Sequence, residues 1–308
     1  MTKQYYAAPM EGLTTWLWRR VHHDIFGGAD KYFTPFLSPN ANCSFQTKEL
    51  REIDCNDGLP VVPQILTADP DHFLWAAREL ADRGYSQVNL NLGCPSGTVC
   101  AKHKGAGLLS WPGELQHCLE GIFSGLPAGM SVSVKTRIGR RSDAEWEALL
   151  PIFNRYPICE LIVHPRVQKD FYQGAARRQV FEWTRQHTDL PLIYNGDVRT
   201  PEDAAAWDVG VMVGRGLMAD PALLRRSRGG PAATRRELAD YLEALAEGYA
   251  AAVGPDAALH RLWELWAFLG DSFPEAEGLV KRIRKCRTLA ECRSLGAAAA
   301  AGERLAWE

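Results

Sequence analysis

The chain has 308 residues, 46% of them hydrophobic and 23% charged, and a formal net charge of −2. That composition excludes a disordered or fibrous chain and a polyelectrolyte that binds nucleic acid through its overall charge, while a local basic patch stays open. The opening MTKQYYAAPMEG lacks the apolar core of a secretion signal, and no apolar run approaches the ~20 residues of a membrane helix. Eight cysteines form no CxxC and no zinc-type spacing with histidine, so a reduced, metal-free cytoplasmic protein with no membrane association is expected.

In chain order, short β-rich runs alternate with helical patterns. Strands are predicted at 5–10 (YYAAPM), 31–37 (KYFTPFL), 61–66 (VVPQIL), 87–92 (QVNLNL), 131–137 (SVSVKTR), 160–165 (ELIVHP), 190–196 (LPLIYNG) and 209–216 (VGVMVGRG). Between them, Asp69 reads as an N-cap before Pro70, and Thr200 with Asp203 as an approximate capping box. SDAEWEALLPIF and RRQVFEWTRQH read as further helices, and 38–60 as a long irregular loop. Eight β/α units point to a (β/α)8 barrel; a doubly wound sheet would need a GxGxxG turn after the first strand, where APMEGLT stands instead. After the Gly/Pro-containing stretch 226–234, three helical patterns follow. The expected division is a catalytic barrel over 1–229 and a small helical bundle over 230–308. Trp263 and Trp266 could stack on bases, but their helical spacing favours bundle core, while GAAAAAG (296–302) is uninformative.

A barrel carries its active site at the C-terminal ends of its strands. Those ends read Pro9-Met10-Glu11-Gly12, Gln64, Asn89 and Asn91 before Cys94, Lys135-Thr136-Arg137, His164-Pro165-Arg166, Asn195-Gly196-Asp197 and Gly214-Arg215-Gly216. Any one is an ordinary loop residue; together they describe a ligand site. Glycines and backbone N–H groups after strands seven and eight are where barrels hold phosphate, and Arg215 adds charge there. Lys135 can face the electron-rich pyrimidine edge of a flavin, and Gln64 can pair with that edge as donor and acceptor. Cys94 has two readings, a small buried hydrophobe or a reactive thiol at a strand's mouth.

APMEG, PQI, NLNLGCPSGTV, KGAGLL, VKTR, HPR…YQG, YNGD and GRG, in this order and on these strands, resemble the dihydrouridine synthases, FMN enzymes that reduce uridine in transfer RNA. The resemblance spans about residues 5–225, and the helical C-terminal segment is similar to that family's RNA-recognition domain. Two departures stand out: HPRV (164–167) replaces a frequent HGRT, and YFTPF on strand two lacks an acidic residue found in many members.

The resemblance implies FMN across the barrel mouth, with Pro9 and Met10 against the ring and Gln64 and Lys135 on its polar edge. His164, Asn195, Gly196, Asp197, Gly214 and Arg215 would hold the phosphate side. NADPH, or NADH, would reduce the flavin, whose N5 then gives hydride to C6 of the uracil while Cys94 protonates C5. Asn91 and Arg166 would face the base, and Lys102 and Lys104 would touch RNA phosphates beside the thiol. Cys100 reads as a bystander or as packing under the loop. The basic stretch LVKRIRKCR (279–287), with Lys281, Arg282 and Lys285, suits tRNA phosphates or forms a solvated helix face. A general acid for C5 must be protonated at neutral pH, as an ordinary thiol is. A flavin barrel acting on a free pyrimidine, as dihydroorotate or dihydropyrimidine dehydrogenases do, and a non-catalytic RNA-binding relative are the rival readings. A monomer is the default expectation; the uridine position is not legible.

Overall fold

The protein is described by a computed structural model covering residues 2–308. Nine parallel strand segments form one sheet: β1 (Tyr5–Ala7), β2 (Lys31–Phe33), β3 (Val61–Val62), β4 (Gln64–Ile65), β5 (Gln87–Leu92), β6 (Ser131–Arg137), β7 (Leu161–His164), β8 (Leu192–Tyr194) and β9 (Gly210–Val213). Their order is β3-β2-β1-β9-β8-β7-β6-β5-β4. The sheet's two ends are thus consecutive in sequence, separated only by Pro63. Proline has no N–H to give a ladder, so one strand is split in two. The carbonyl of Pro63 still accepts from Asn89 N at 2.9 Å, and the sheet curls into a barrel of eight strands.

The barrel is filled by inward residues of the neighbouring strands β1, β2, β3, β7, β8 and β9: Tyr6, Ala8, Phe33, Val62, Ile162, Ile193 and Met212. Beneath them, at the N-terminal ends, the Tyr6 hydroxyl donates to Glu160, which also accepts from Lys31 at 2.8 Å and from Gln87 at 3.0 Å. This polar floor satisfies the buried groups that close the bottom.

The helices match the capping signals. Asp69 accepts from the backbone N–H groups of Asp71 and His72 at the start of Pro70–Asp82, and Thr200 and Asp203 form a full capping box. The expectation of an irregular 38–60 is corrected: Thr47–Asp54 is helical. Glu49 accepts from Gln46 N at 2.7 Å, and Ile53 faces the core, a short amphipathic pattern easily lost among polar residues. The basic stretch 279–287 is not one helix either. Leu279–Ile283 ends near Arg284, and Thr288 starts a separate helix, Leu289–Gly302, which absorbs the alanine-rich run.

The helix Arg235–Val253 packs against the barrel's first helix, Trp16–Ile25, and Pro255–Leu269 packs against the short helix Arg215–Ala219 after β9. Trp18 Nε1 donates to Tyr241 Oη at 2.7 Å, and Gly248 leaves room for Leu17. Arg261 Nη1 donates to the Gly12 carbonyl at 3.0 Å, fixing Pro255–Leu269 to the loop after β1. Trp266 is buried and stacks on Phe273, as core. No helix among the described residues is long and apolar enough to cross a membrane.

Candidate active site

At the C-terminal ends of the strands lies a cavity of about 340 Å³, lined by Pro9, Met10, Gln64, Asn91, Cys94 and Lys135 from the sequence-derived set, and by Glu11, Phe36, Phe171 and Tyr172 besides. The size is ordinary for a small-molecule site.

Cys94 sits on a loop tied down from four sides. Asn91 Oδ1 accepts from Gly93 N at 3.0 Å and Cys94 N at 2.9 Å. The Cys94 carbonyl accepts from Ala106 N at 3.1 Å. Arg137 Nε donates to the Gly93 carbonyl at 3.1 Å, and Gln168 Nε2 to that of Pro95 at 2.8 Å. KGAG is the seat of this loop. Gly105 has φ +56 and lies so close to Cys94 that a Cβ would stand 3.0 Å from its Cβ, and a Cβ on Gly107 would stand 2.6 Å from Cys100 Cα. Cys100 packs beneath, its thiol towards the Cys94 carbonyl at 3.5 Å. We expect Gly107→Ala to cost about 1–3 kcal/mol of stability, because the clash is with backbone. Calorimetry checks it, and an unchanged melting temperature would show that the seat yields freely.

Burial pushes the Cys94 thiol up, and Glu11 adds to this, while the Ser96 N–H, Arg137 and Lys135 pull against it. The thiol therefore holds its proton at neutral pH. Chemistry that uses this proton is expected to fall as pH rises through the raised thiol pKa, and single-turnover rates from pH 6 to 10 check it; a rate rising with pH over that range would mark a thiolate mechanism instead.

Burial and the neighbouring Arg137 push Lys135 down to about 7, from an unfolded value of 10.5. Between those values the unfolded chain binds more protons than the folded one, so this group makes stability rise with pH there. Lys135→Met should flatten that rise in the ligand-free protein and raise its melting temperature at pH 6. An identical pH slope in the variant would contradict it.

The β6–β9 side of the mouth is a cluster of cations. Arg166 is buried and donates to Asp197 from both Nη atoms, at 3.0 and 2.6 Å, and to the Gly174 carbonyl at 2.6 Å. Arg215 donates to Asp197 at 2.8 Å. Burial opposes the charge on Asp197, but Arg166 and the Ala176 N–H outweigh it and hold the carboxylate below its ordinary value. Arg166 Nη1 also donates to His164 Nε2 at 3.0 Å, which leaves that ring neutral. Burial first, then Arg137, Lys135, Arg166 and Arg215, press His164 well below its usual range. Tyr172, half exposed, lies over two of these cations, 4.5 Å from Arg215 and 5.4 Å from Arg137. Arg137 Nη2 also donates to the Phe171 carbonyl at 2.6 Å, holding Phe171 at φ 50.

This arrangement fits a phosphate-bearing flavin. Lys135, Arg137, Arg166 and Arg215 surround His164, only Arg166 and Arg215 among them pair with Asp197, and the buried Nε of Arg166 has no protein partner. An excess of buried cation with an unspent donor asks for an anion. Gly214 brings the backbone beside Ala8 and Met10, where a Cβ would stand 3.4 Å from Ala8 Cβ. Gly196 has an internal reason as well: a Cβ there would meet the Tyr194 phenol, clamped between Trp207 and Phe181. Asn195 spends its amide on the Met212 carbonyl at 2.8 Å.

Lys102 and Lys104 lie outside the cavity lining, on a loop pinned by His103. That ring stacks on Trp111 at 4.9 Å and contacts Glu114 at 3.0 Å. Lys281, Arg282 and Lys285 lie in the helical segment, all exposed, with Arg282 and Lys285 beside an open groove. Among the described residues no group of three or more acidic, histidine or cysteine side chains is placed to hold a metal, and all eight cysteines are free.

Residues 6–258 match the family model for dihydrouridine synthases (Dus). The chain belongs to the dihydrouridine synthase family. As a member it is an enzyme and an oxidoreductase. Over 92% of both chains it is 29% identical to the tRNA-dihydrouridine(16) synthase of Ralstonia nicotianae. It is also 29% identical to a probable tRNA-dihydrouridine synthase of Staphylococcus epidermidis, over 70% of this chain and 68% of that one. Among solved structures, histamine dehydrogenase from Rhizobium sp. 4-9 superposes with a TM-score of 0.55 at 11% identity, over 78% of this chain and 49% of that one, a likeness of fold alone. For a dihydrouridine synthase, sequence reading missed the cavity residues Phe171 and Tyr172 and the clamp Arg137. YQG and KTR carried the signal for Tyr172 and Arg137, but nothing in the sequence shows which side chains of a loop turn inwards.

Proposed function

We propose that the protein is an FMN-dependent tRNA-dihydrouridine synthase that uses NADPH or NADH as reductant and Cys94 as the acid. The observation that carries this reading is Cys94 itself: a thiol whose burial favours the protonated form, on a loop held by backbone hydrogen bonds, in a cavity that Lys135 also lines.

When bound, FMN supplies the transfer of two electrons and hydrogen from the nicotinamide to C6 of the uracil. Gln64 and Lys135 hold its polar edge, and Pro9 and Met10 lie against its ring. Arg166 and Arg215, aligned by Asp197, hold its phosphate with the backbone of Gly196 and Gly214, and His164 and Asn195 close the wall around them. Cys94 delivers its proton to C5, so that the new C–H bond forms as the S–H bond breaks. The thiolate left behind lies beside Lys135 and Arg137, which stabilise it until solvent restores the proton. Asn91 fixes the Cys94 loop and offers its remaining N–H to the base.

Residues 1–229 then form the catalytic barrel and 230–308 the part that recognises tRNA, with Lys281, Arg282 and Lys285 on the phosphate backbone and Lys102 and Lys104 nearer the mouth. The likeness to a relative named for position 16 supports uridine 16 as the target. The exposed basic stretch argues against a free pyrimidine as substrate, and the protonated thiol in the cavity against a non-catalytic relative.

The purified protein is expected to release about one FMN per chain on denaturation, and Arg166→Ala to lose most of it. Recovery of FAD, or no flavin after reconstitution, would overturn the cofactor assignment.

A further inference from the structure

The two asparagines inside β5 belong to a continuous chain of side chains that crosses the barrel. Ser133 Oγ donates to the Val88 carbonyl at 3.3 Å and accepts from Asn89 Nδ2 at 2.8 Å. Asn89 Oδ1 accepts from Gln64 Nε2 at 2.8 Å, and Gln64 Oε1 accepts from Asn91 Nδ2 at 2.7 Å. Asn91 Oδ1 then receives the N–H groups of Gly93 and Cys94. All four side chains are buried, Ser133 and Asn89 completely. Only Gln64 and Asn91 line the cavity.

The direction of this chain is forced. At one end stand two backbone N–H groups, which can only donate; at the other stands a backbone carbonyl, which can only accept. Turning any one amide over would set donor against donor and acceptor against acceptor in a buried place, where unmade hydrogen bonds are costly. Every carbonyl oxygen of the three amides is therefore committed within the chain. What remains unspent for the cavity is one N–H on each of Gln64 and Asn91 and the second lone pair of Gln64 Oε1, whereas Asn91 Oδ1 is filled by two N–H groups.

We propose that Asn89 and Ser133, which do not line the cavity, are positioning residues that fix the polarity of Gln64 and Asn91, so that each keeps one N–H free for a ligand and the Cys94 loop is held at its N–H groups. The proposal deepens the function given above and rests on it. Two such N–H groups, with Lys135 beside them, favour a ligand edge of carbonyl oxygens.

The test compares Asn89→Leu, Asn89→Asp and Ser133→Ala, with folding checked by calorimetry. A residue that merely fills buried space should tolerate leucine and suffer from a buried carboxylate. A positioning residue should behave the other way, because aspartate keeps the oxygen that Gln64 needs and leucine does not. Two readouts apply: the pH midpoint of Cys94 alkylation by iodoacetamide in flavin-free protein, resolved by peptide mass spectrometry, and the single-turnover rate of flavin-loaded enzyme on tRNA. For Asn89→Leu the midpoint should fall towards that of an exposed thiol and the rate should drop about tenfold, while Asn89→Asp stays nearer the parent on both. Ser133→Ala, the mildest change, should move both in the leucine direction by less, and it decides the matter if the Asn89 variants do not fold. Parental values in Asn89→Leu, or in Ser133→Ala where that variant decides, would overturn the proposal, as would leucine tolerated and aspartate damaging. If the parent itself fails to reduce uridine, the function assigned above has failed instead, and the alkylation midpoints alone judge the positioning role.

Discussion

Cys94→Ala is expected to fold, bind FMN, accept electrons from NADPH and bind tRNA, yet form dihydrouridine about 10²–10⁴-fold more slowly, the usual worth of a positioned general acid. The cavity supports so specific a loss. The loop is held through the backbone of residues 93–95 by Asn91, Arg137 and Gln168, none of which needs the sulfur. The Arg166–Asp197–Arg215 group lies after other strands, β7 to β9. Cys94→Ser should be impaired as well, since a serine hydroxyl is a far weaker acid. Single-turnover oxidation of pre-reduced enzyme by tRNA isolates the step. If the thiol were only packing, the variant would instead lose stability or flavin and react normally in whatever remains folded.

Reversing Lys281, Arg282 and Lys285 to glutamate together is expected to weaken tRNA binding by roughly 10–100-fold at low salt and to make the salt dependence shallower by about 2–3 in log–log slope. All three are exposed, and among the described residues none takes part in an ion pair, so each is free to displace a counterion from a phosphate. They lie far in sequence from the cavity residues, and NADPH-driven flavin reduction should be untouched. Filter binding from about 50 to 200 mM salt reads the slope. Equal affinity and slope in the variant would make this stretch a solvated surface and move the RNA site elsewhere.

The barrel was legible because its strands are apolar runs with polar ends; β5 and β6 begin and end where the alternation does. Runs such as YYAAPM and KYFTPFL pass a ladder's end into a loop that is just as apolar, so β1 and β2 stop earlier than hydrophobicity suggests. The helix Thr47–Asp54 was hidden because only a narrow stripe of it is apolar, and its start depends on the pairing of Gln46 with Glu49. In the site, residue identity was legible and partnership was not. Asp197 reads from sequence as a direct phosphate-side ligand, whereas its oxygens hold Arg166, Arg215 and Ala176 N. Arg166 reads as facing the base, and it lies buried against Asp197 and His164. The asparagines of β5 pointed to a polar wall, but the direction of their hydrogen bonds follows from Gln64 and Ser133, which come from other strands. Such links join residues 25 to 44 apart in sequence, and no local pattern records them.

The most direct measurement incubates the FMN-loaded protein with NADPH and unmodified tRNA transcripts, and maps dihydrouridine by nucleoside mass spectrometry with position. The account predicts dihydrouridine in tRNA, at uridine 16 first, dependent on FMN and nearly absent with Cys94→Ala. Reduction of free uracil or uridine with none in tRNA, or dihydrouridine formed by Cys94→Ala at the parental rate, would contradict it.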